Sequence, residues 1–530
     1  WECEQSHKRT TSTVPLQEIF PGAMADGFRA FTARYGIPLD YIEIRFVNGY
    51  AYGQPRPPGQ PARFAGGPPP PRAVLYLLTR LMPEARRRTR AARQTFAERR
   101  WRAEIDAWNG TGRAAREAAN LTLQDVDLGG LDDASLAAHV GAAADNLRTG
   151  LTEHFDLIGS YLPVGDLVAA CEGWGIPAAD VLALLAGSSP GTTQARAAQS
   201  RVAAALAAAG PSRPTSLADI RAASAEAAAA LDAYLRRFGW WMVTVTDVDG
   251  RTLGELPEVV LRSIVESTVS VTAQPDPSAI RERVPTGERT RFDDLLTEAR
   301  YAYPCREDNV GLCGAWPGGL LRRALLEAGR RLLAADRLLD PAHVFELQIA
   351  ETTGLRAGTA SLDAAEVAAR AHLRAAADAM SPPPVLGPEP GGPPPFDVFP
   401  APMQRTVTAV DAMRRAMTER TDDVPLSGTG IGTSSYRGRA RVAVDAEDAL
   451  TRMTPGDVLV TAVTTPAFNV VLPLAGALVT QFGGPLSHPA IAAREHGIPA
   501  VIGATDAIDR IPDGATVLVD PVLGTVEVIS

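Results

Sequence analysis

A single lysine, Lys8, serves a chain of 530 residues, and that scarcity excludes common phosphate-binding devices. A P-loop needs a lysine behind its glycines and cannot be assembled, and a lysine-using ATP-grasp site is not expected in this chain. The glycine pattern of a dinucleotide fold is also absent. Cysteine is sparse: Cys3, Cys171, Cys305 and Cys313 lack metal-site spacing, and four thiols in so long a chain point to a reduced, cytoplasmic protein with no metal centre. No apolar run approaches the roughly 18 residues that cross a bilayer. The best, Val470 to Val479, is interrupted by Pro473, so no membrane partner is expected. Basic excess is missing too. A net charge of −9 argues against general nucleic-acid binding. The sequence starts at Trp1 without methionine, so further residues upstream are expected and a removed leader stays open.

What is present is concentrated in Gln481-Phe-Gly-Gly-Pro-Leu-Ser-His488-Pro489. Ala475 to Thr480 is a short apolar run of buried-strand character. Gly483-Gly484 then permits backbone angles closed to other residues, and Pro489 suits a first helical turn. His488 is therefore placed at or beside a helix N-cap, where orphan N–H groups and the positive end of the dipole favour a phosphoryl group on the imidazole. The same positive end disfavours imidazolium and keeps the ring nucleophilic. Ser487 is a candidate hydroxyl donor. Arg494 is a weaker phosphate ligand, because six residues do not stack on one helix face. The bland alternative is a helix-capping histidine in an inactive relic.

Gly483-Gly484, Ser487-His488, Ala490-Ile491, Ala493-Arg494-Glu495 and Gly497 to Val501 resemble the signature of the swivelling phosphohistidine domain of the phosphoenolpyruvate-utilising enzymes. The likeness extends through Gly438 to Val442, Pro455 to Val460, Pro512 to Gly514 and Val519 to Val526, roughly the last hundred residues. It implies that His488 takes a phosphoryl group from a nucleotide site, through its outer ring nitrogen, and passes it to an acceptor elsewhere. Leu486 departs from a threonine with a regulatory role in the synthase and dikinase members, and Pro489 replaces a small residue. Upstream, Arg306-Glu307-Asp308, the stretch Leu320 to Ala335 and His343 to Leu347 resemble the central, acceptor-binding region of the rifampin phosphotransferase type. That resemblance makes Arg306 a candidate phosphate ligand and Glu307 or Asp308 a candidate base. A salt-bridged helix cap is the alternative.

The remainder reads as mainly helical. Residues 53 to 71 are too proline-rich for helix or central strand, and Tyr41 to Tyr52 form a hairpin turning at Asn48-Gly49. Pro83 to Trp108 reads as one long arginine-rich helix, with amphipathic helices near 134 to 160, 194 to 209 and 216 to 238. Arg86 to Arg88, with Arg99-Arg100, is either a solvated face or a clasp for a nucleotide partner. His154 is a candidate core or pocket residue, and Trp174, Trp240, Trp241 and Trp316 are candidates to line an apolar acceptor pocket. Ser381 to Pro402 reads as an extended proline-rich tether with a reach on the order of 60 Å. Gly428 to Tyr436 reads as a hinge.

The expected architecture is multidomain α and α/β: a mainly α-helical acceptor-binding domain over 1–380, a proline-rich linker and connecting helix over 381–424, and an α/β swivelling phosphohistidine domain over 425–530. The expected function is ATP-dependent phosphoryl transfer to a small organic acceptor through His488. No cofactor is bound directly by this chain; ATP and Mg are expected at an ATP-grasp domain or subunit, upstream or in trans. ATP-driven condensation through a phosphorylated intermediate, and a non-catalytic phosphocarrier, are the alternatives.

Overall fold

Asn48 and Gly49 both take positive φ, 49° and 81°, the two left-handed residues that a type I′ turn requires. They join β2 (Tyr41–Val47) to β3 (Tyr50–Arg56), and β1 (Glu2–Cys3) adds to the other edge of β3. The hairpin is as expected, except that β3 runs through Pro55 to Arg56. These facts come from a computed structural model, which describes all residues except 4–10, 60–69, 211–212, 244–246, 266–273, 357–362, 381, 389–391, 419–423, 465–467, 469–470 and 530. At 190–193, 306–308 and 355–356 it describes the backbone alone.

The chain divides into two units, each discontinuous in sequence. Unit 1 gathers Trp1–Leu162, Asp247–Asp249 and Asn309–Thr408; unit 2 gathers Pro163–Thr246, Gly250–Asp308 and Ala409–Ser530.

Unit 1 is built around helices Val14–Tyr35, Asp133–Leu157 and Trp316–Ala334. Thr13 and Asp132 cap the first two, each accepting an N–H from the first turn. Backbone contact is close: a Cβ on Gly150 would lie 2.3 Å from the carbonyl oxygen of Cys313. The span Pro83 to Trp108 is two helices, Pro83–Ala97 and Arg100–Ala107, because Arg99 takes φ 47° and breaks the ladder. Arg88 in that basic run is buried and donates to the carbonyls of Ile37 and Leu39, both at 2.6 Å, while pairing with Glu84 and Asp40. It holds the fold and is not exposed to a nucleotide.

The proline-rich stretch is tied down where it is described. Cys3 N–H donates to Pro384 O and Leu386 N–H to Trp1 O, both at 2.9 Å, and the Tyr52 hydroxyl donates to Pro383 O at 3.1 Å. Val398, Phe399 and Met403 pack on Ala92. Proline carbonyls without a neighbouring N–H are ready acceptors, so a segment read as a free tether is an edge of unit 1.

Unit 2 carries a seven-stranded sheet, ordered β10-β9-β5-β6-β7-β8-β4. Its strands are β4 (Thr429–Ile431), β5 (Tyr436–Ala443), β6 (Asp457–Thr461), β7 (Ala475–Thr480), β8 (Ala500–Ile502), β9 (Thr516–Asp520) and β10 (Thr525–Val528). The central four, β5 to β8, are parallel; β4, β9 and β10 join antiparallel. Both faces are covered, as parallel strands require. Val458, Val460, Ala477 and Val479 enter one core with Val517 and Val519, whereas Leu459 and Leu478 enter the opposite one with Leu231, Val259 and Val260. That second core joins the helices of 190–264 to the sheet in one apolar cluster. The proposed hinge includes β4, and among the described residues no helix is long and apolar enough to cross a membrane.

Candidate functional site

The route from β7 to β8 crosses through helix His488–His496, with Ser487 at the N-cap and Pro489 in the first turn. This is the strand, turn and helix that the glycine pair and Pro489 predict. Gly483 takes φ 119°, and a Cβ there would meet Ser487 Oγ at 2.7 Å, so only glycine fits. Two amides of the loop, Gly484 N and Leu486 N, donate to Met417 O and Ala416 O at 3.0 and 2.7 Å. Those carbonyls lie in the last turn of helix Ala401–Thr418. The loop and the helix end therefore satisfy each other.

His488 is partly exposed at the helix start, and its Nδ1 lies 3.0 Å from Oγ1 of Thr464. Thr464 is 2% exposed, just beyond the carboxyl end of β6, next to β7 in the sheet. Ligand sites of open parallel sheets form at this end of the strands. Ser487 is committed locally: its hydroxyl donates to Gly484 O at 2.7 Å, so its one proton stays within the turn. Arg494 is buried and donates from Nη1 to Pro485 O at 2.6 Å, which clamps the loop from the last turn of the same helix. Its place is beneath the loop.

The remaining candidates lie elsewhere. His154, in unit 1, bonds through Nδ1 to the buried Asn309 and stacks edge-on against Phe155 at 5.2 Å. Trp240, half-buried, lies in unit 2, beyond the end of helix Ala225–Phe238. Trp316 is plain core of unit 1, its indole donating to Gln124 Oε1 at 2.9 Å. Arg291 sits over the ring of Trp174 at 5.7 Å. The side chains of Arg306, Glu307 and Asp308 lie outside the described residues.

Sequence reasoning missed Thr464, 24 positions from His488, because only the neighbouring of β6 and β7 brings them together. It also gave His496 no context. His496 is buried with Nδ1 3.0 Å from Arg196 Nη1, and since guanidinium only donates, the imidazole accepts and is neutral. Burial, aided by Arg196, pushes it down to about 4. Beside it, Glu495 accepts from Ser189 N at 3.3 Å, ahead of helix Pro190–Ala209. Burial lifts its carboxyl to about 7, against the backbone N–H bonds of Ser189, Gly187 and Ser188.

A carboxyl raised above its ordinary 4.5 contributes most to stability below that pH, and the contribution is lost as pH rises through about 7. Glu495→Gln keeps the neutral shape. The variant should melt with the parent near about pH 4.5 and higher near about pH 8, by roughly 2–4 °C for each kcal/mol recovered. Coincident melting at both pH values would show that Glu495 is not held protonated.

Comparison with known proteins bears on the same residues. Residues 453–524 match the family model of the PEP-utilising enzyme mobile domain. Over 341 residues the chain is 28% identical to rifampicin phosphotransferase of Streptomyces sviceus, covering 58% of this chain and 35% of that protein. It is 47% identical over 104 residues to phosphoenolpyruvate synthase of Aeropyrum pernix, covering 20% of this chain and 13% of the relative. An uncharacterised phosphotransferase of Bacillus subtilis is 43% identical over 103 residues, 19% of this chain and 12% of the relative. The chain thus spans about a third of the rifampicin enzyme's length and less of the others. His488, Thr464 and the glycine loop all fall inside the matched mobile domain.

Proposed function

We propose that this chain is the histidine-carrying part of an ATP-dependent phosphotransferase of the PEP-utilising family, acting on a small organic acceptor. One observation carries the reading: within the matched domain, His488 opens a helix at the carboxyl ends of parallel strands, with Nδ1 against Thr464 Oγ1. With the proton on Nδ1, donated to Thr464, the lone pair lies on Nε2, the outer nitrogen. In the first half-reaction Nε2 attacks phosphorus, the P–N bond forms, and the P–O bond to the nucleotide breaks. In the second, an acceptor hydroxyl attacks phosphorus and the P–N bond breaks. The hydroxyl proton passes to a base, the role that the resemblance gives Glu307 or Asp308, with Arg306 on the phosphate. The helix N-terminus stabilises the dianion between the two steps.

Nucleotide and Mg²⁺ belong, in this reading, to an ATP-grasp module in trans or elsewhere in a longer protein. The solitary Lys8 supports that division. Among the described residues no three His, Cys, Asp or Glu side chains group to hold a metal. The chain alone should therefore give no saturable heat with millimolar MgATP in a calorimeter. A tight one-to-one isotherm would move the nucleotide site into this chain.

Product analysis tests the function itself. The chain is combined with an ATP-grasp module, ATP and hydroxyl-bearing acceptors of the kind the name rifampicin phosphotransferase describes. A stable phosphorylated product supports the proposal. A condensed product with released phosphate makes the enzyme a ligase, and phosphohistidine without turnover makes it a carrier.

A further inference from the structure

Helix Arg72–Leu81, in unit 1, turns its polar side to the protein and its apolar side to solvent. On the inner side Arg72 pairs with Asp397, and Thr79 Oγ1 and Arg80 Nη1 both donate to Val398 O at 2.7 Å. Leu75, the one leucine on that side, packs against the small core of Ala92, Val398, Phe399 and Met403. Val74, Leu77, Leu78 and Leu81 follow the i, i+3, i+4, i+7 spacing of a single helical stripe, opposite Leu75 and Thr79. They are 43, 55, 39 and 59% exposed. Single exposed leucines are ordinary, but four aliphatic side chains in one stripe mark an interaction surface.

Charge decides what that surface takes. The chain carries a net charge of −9, yet between Arg72 and Arg93 stand seven arginines and one acidic residue, Glu84. Arg88 is engaged within the fold, but Arg86, Arg90 and Arg93 are exposed at i, i+4, i+7 along one face of the next helix, Pro83–Ala97. Arg86 Nε donates to Arg80 O at 3.0 Å, which seats the first of these guanidinium groups at the end of helix Arg72–Leu81. A nucleic acid engages arginines but has no use for an aliphatic stripe, and a protein groove that takes the stripe does not require the cations. An anionic lipid surface uses both, aliphatic side chains at the acyl boundary and guanidinium groups on the headgroup phosphates. We propose that helix Arg72–Leu81 lies on the surface of an anionic lipid bilayer, held by its apolar stripe and by the arginine face that follows it. The expectation of no membrane partner came from the lack of a spanning run, and a helix lying in the interface requires none. The inference does not depend on the role of His488.

The test is flotation of the whole chain with vesicles of equimolar phosphatidylserine and phosphatidylcholine and, separately, with vesicles of phosphatidylcholine alone. Binding to the anionic vesicles is expected, about tenfold or more stronger than to the neutral ones and weakened by high salt. Leu77 and Leu81 are more than half exposed, so Leu77→Asp and Leu81→Asp preserve the fold, which circular dichroism checks. Each should weaken binding about tenfold or more, and Arg90→Glu should do the same. No binding to the anionic vesicles, equal binding to both compositions, or unchanged binding by Leu77→Asp or Arg90→Glu would each overturn the assignment. So would a chain that ignores both vesicles but forms a concentration-dependent dimer dissolved by Leu77→Asp, because the stripe would then belong to a second copy.

Discussion

Replacing His488 with alanine should abolish incorporation of acid-labile phosphate, with loss below detection, while the chain melts as before. The side chain is partly exposed at the first position of its helix, so truncation costs less than it would in a closed core. The elements that fix the loop do not involve the imidazole: Gly484 and Leu486 bond to the end of helix Ala401–Thr418, and Arg494 holds Pro485. Function and fold are thus separable at this residue. The measurement is labelling by an ATP-grasp module and ATP, with circular dichroism on the same samples. Undiminished labelling of the alanine variant would remove His488 from the chemistry.

Thr464→Val should have the next largest effect. Valine keeps the branched shape at Thr464, which is 2% exposed, but removes the hydroxyl that meets Nδ1 of His488. Without that hydroxyl, the Nδ1–H tautomer loses a hydrogen bond of roughly 0.5–1.5 kcal/mol, and the alternative tautomer puts the proton on the attacking nitrogen. With roughly 1.4 kcal/mol per factor of ten, phosphoryl acceptance should fall about tenfold. Thr464→Ser should restore most of the rate because the hydroxyl returns. A purely structural role predicts the reverse pattern: serine would behave as badly as valine, with a lowered melting temperature. Equal rates for parent and valine variant would detach Thr464 from the site.

The parts of this protein that were legible in its sequence are those where one residue type is required locally. Gly483 at φ 119°, the Asn48-Gly49 turn and the start of a helix at His488 follow from backbone sterics and capping, and β7 lies at Ala475–Thr480 as its apolar run implies. The features that depend on distant partners were not legible. Thr464 gains its meaning from the pairing of β6 with β7, and His496 and Glu495 from a helix some 300 positions away in sequence. Arg99 breaks a helix that its neighbours favour, and Arg88, read as surface charge, turns inward because the carbonyls of Ile37 and Leu39 need donors. The proline-rich stretch looked free because its composition hides the acceptors that Cys3 and Tyr52 use.

If this chain acts as proposed, a phosphoryl group resides on His488 between the two half-reactions. The direct measurement is to label the chain with an ATP-grasp module and ATP, digest it under alkaline conditions that preserve phosphoramidates, and map the modified peptide by mass spectrometry. One added phosphoryl group is expected on the peptide containing Gly483 to Arg494, assigned to His488, stable to base and lost in mild acid. Phosphate on any other residue, or an acid-stable modification, would contradict it.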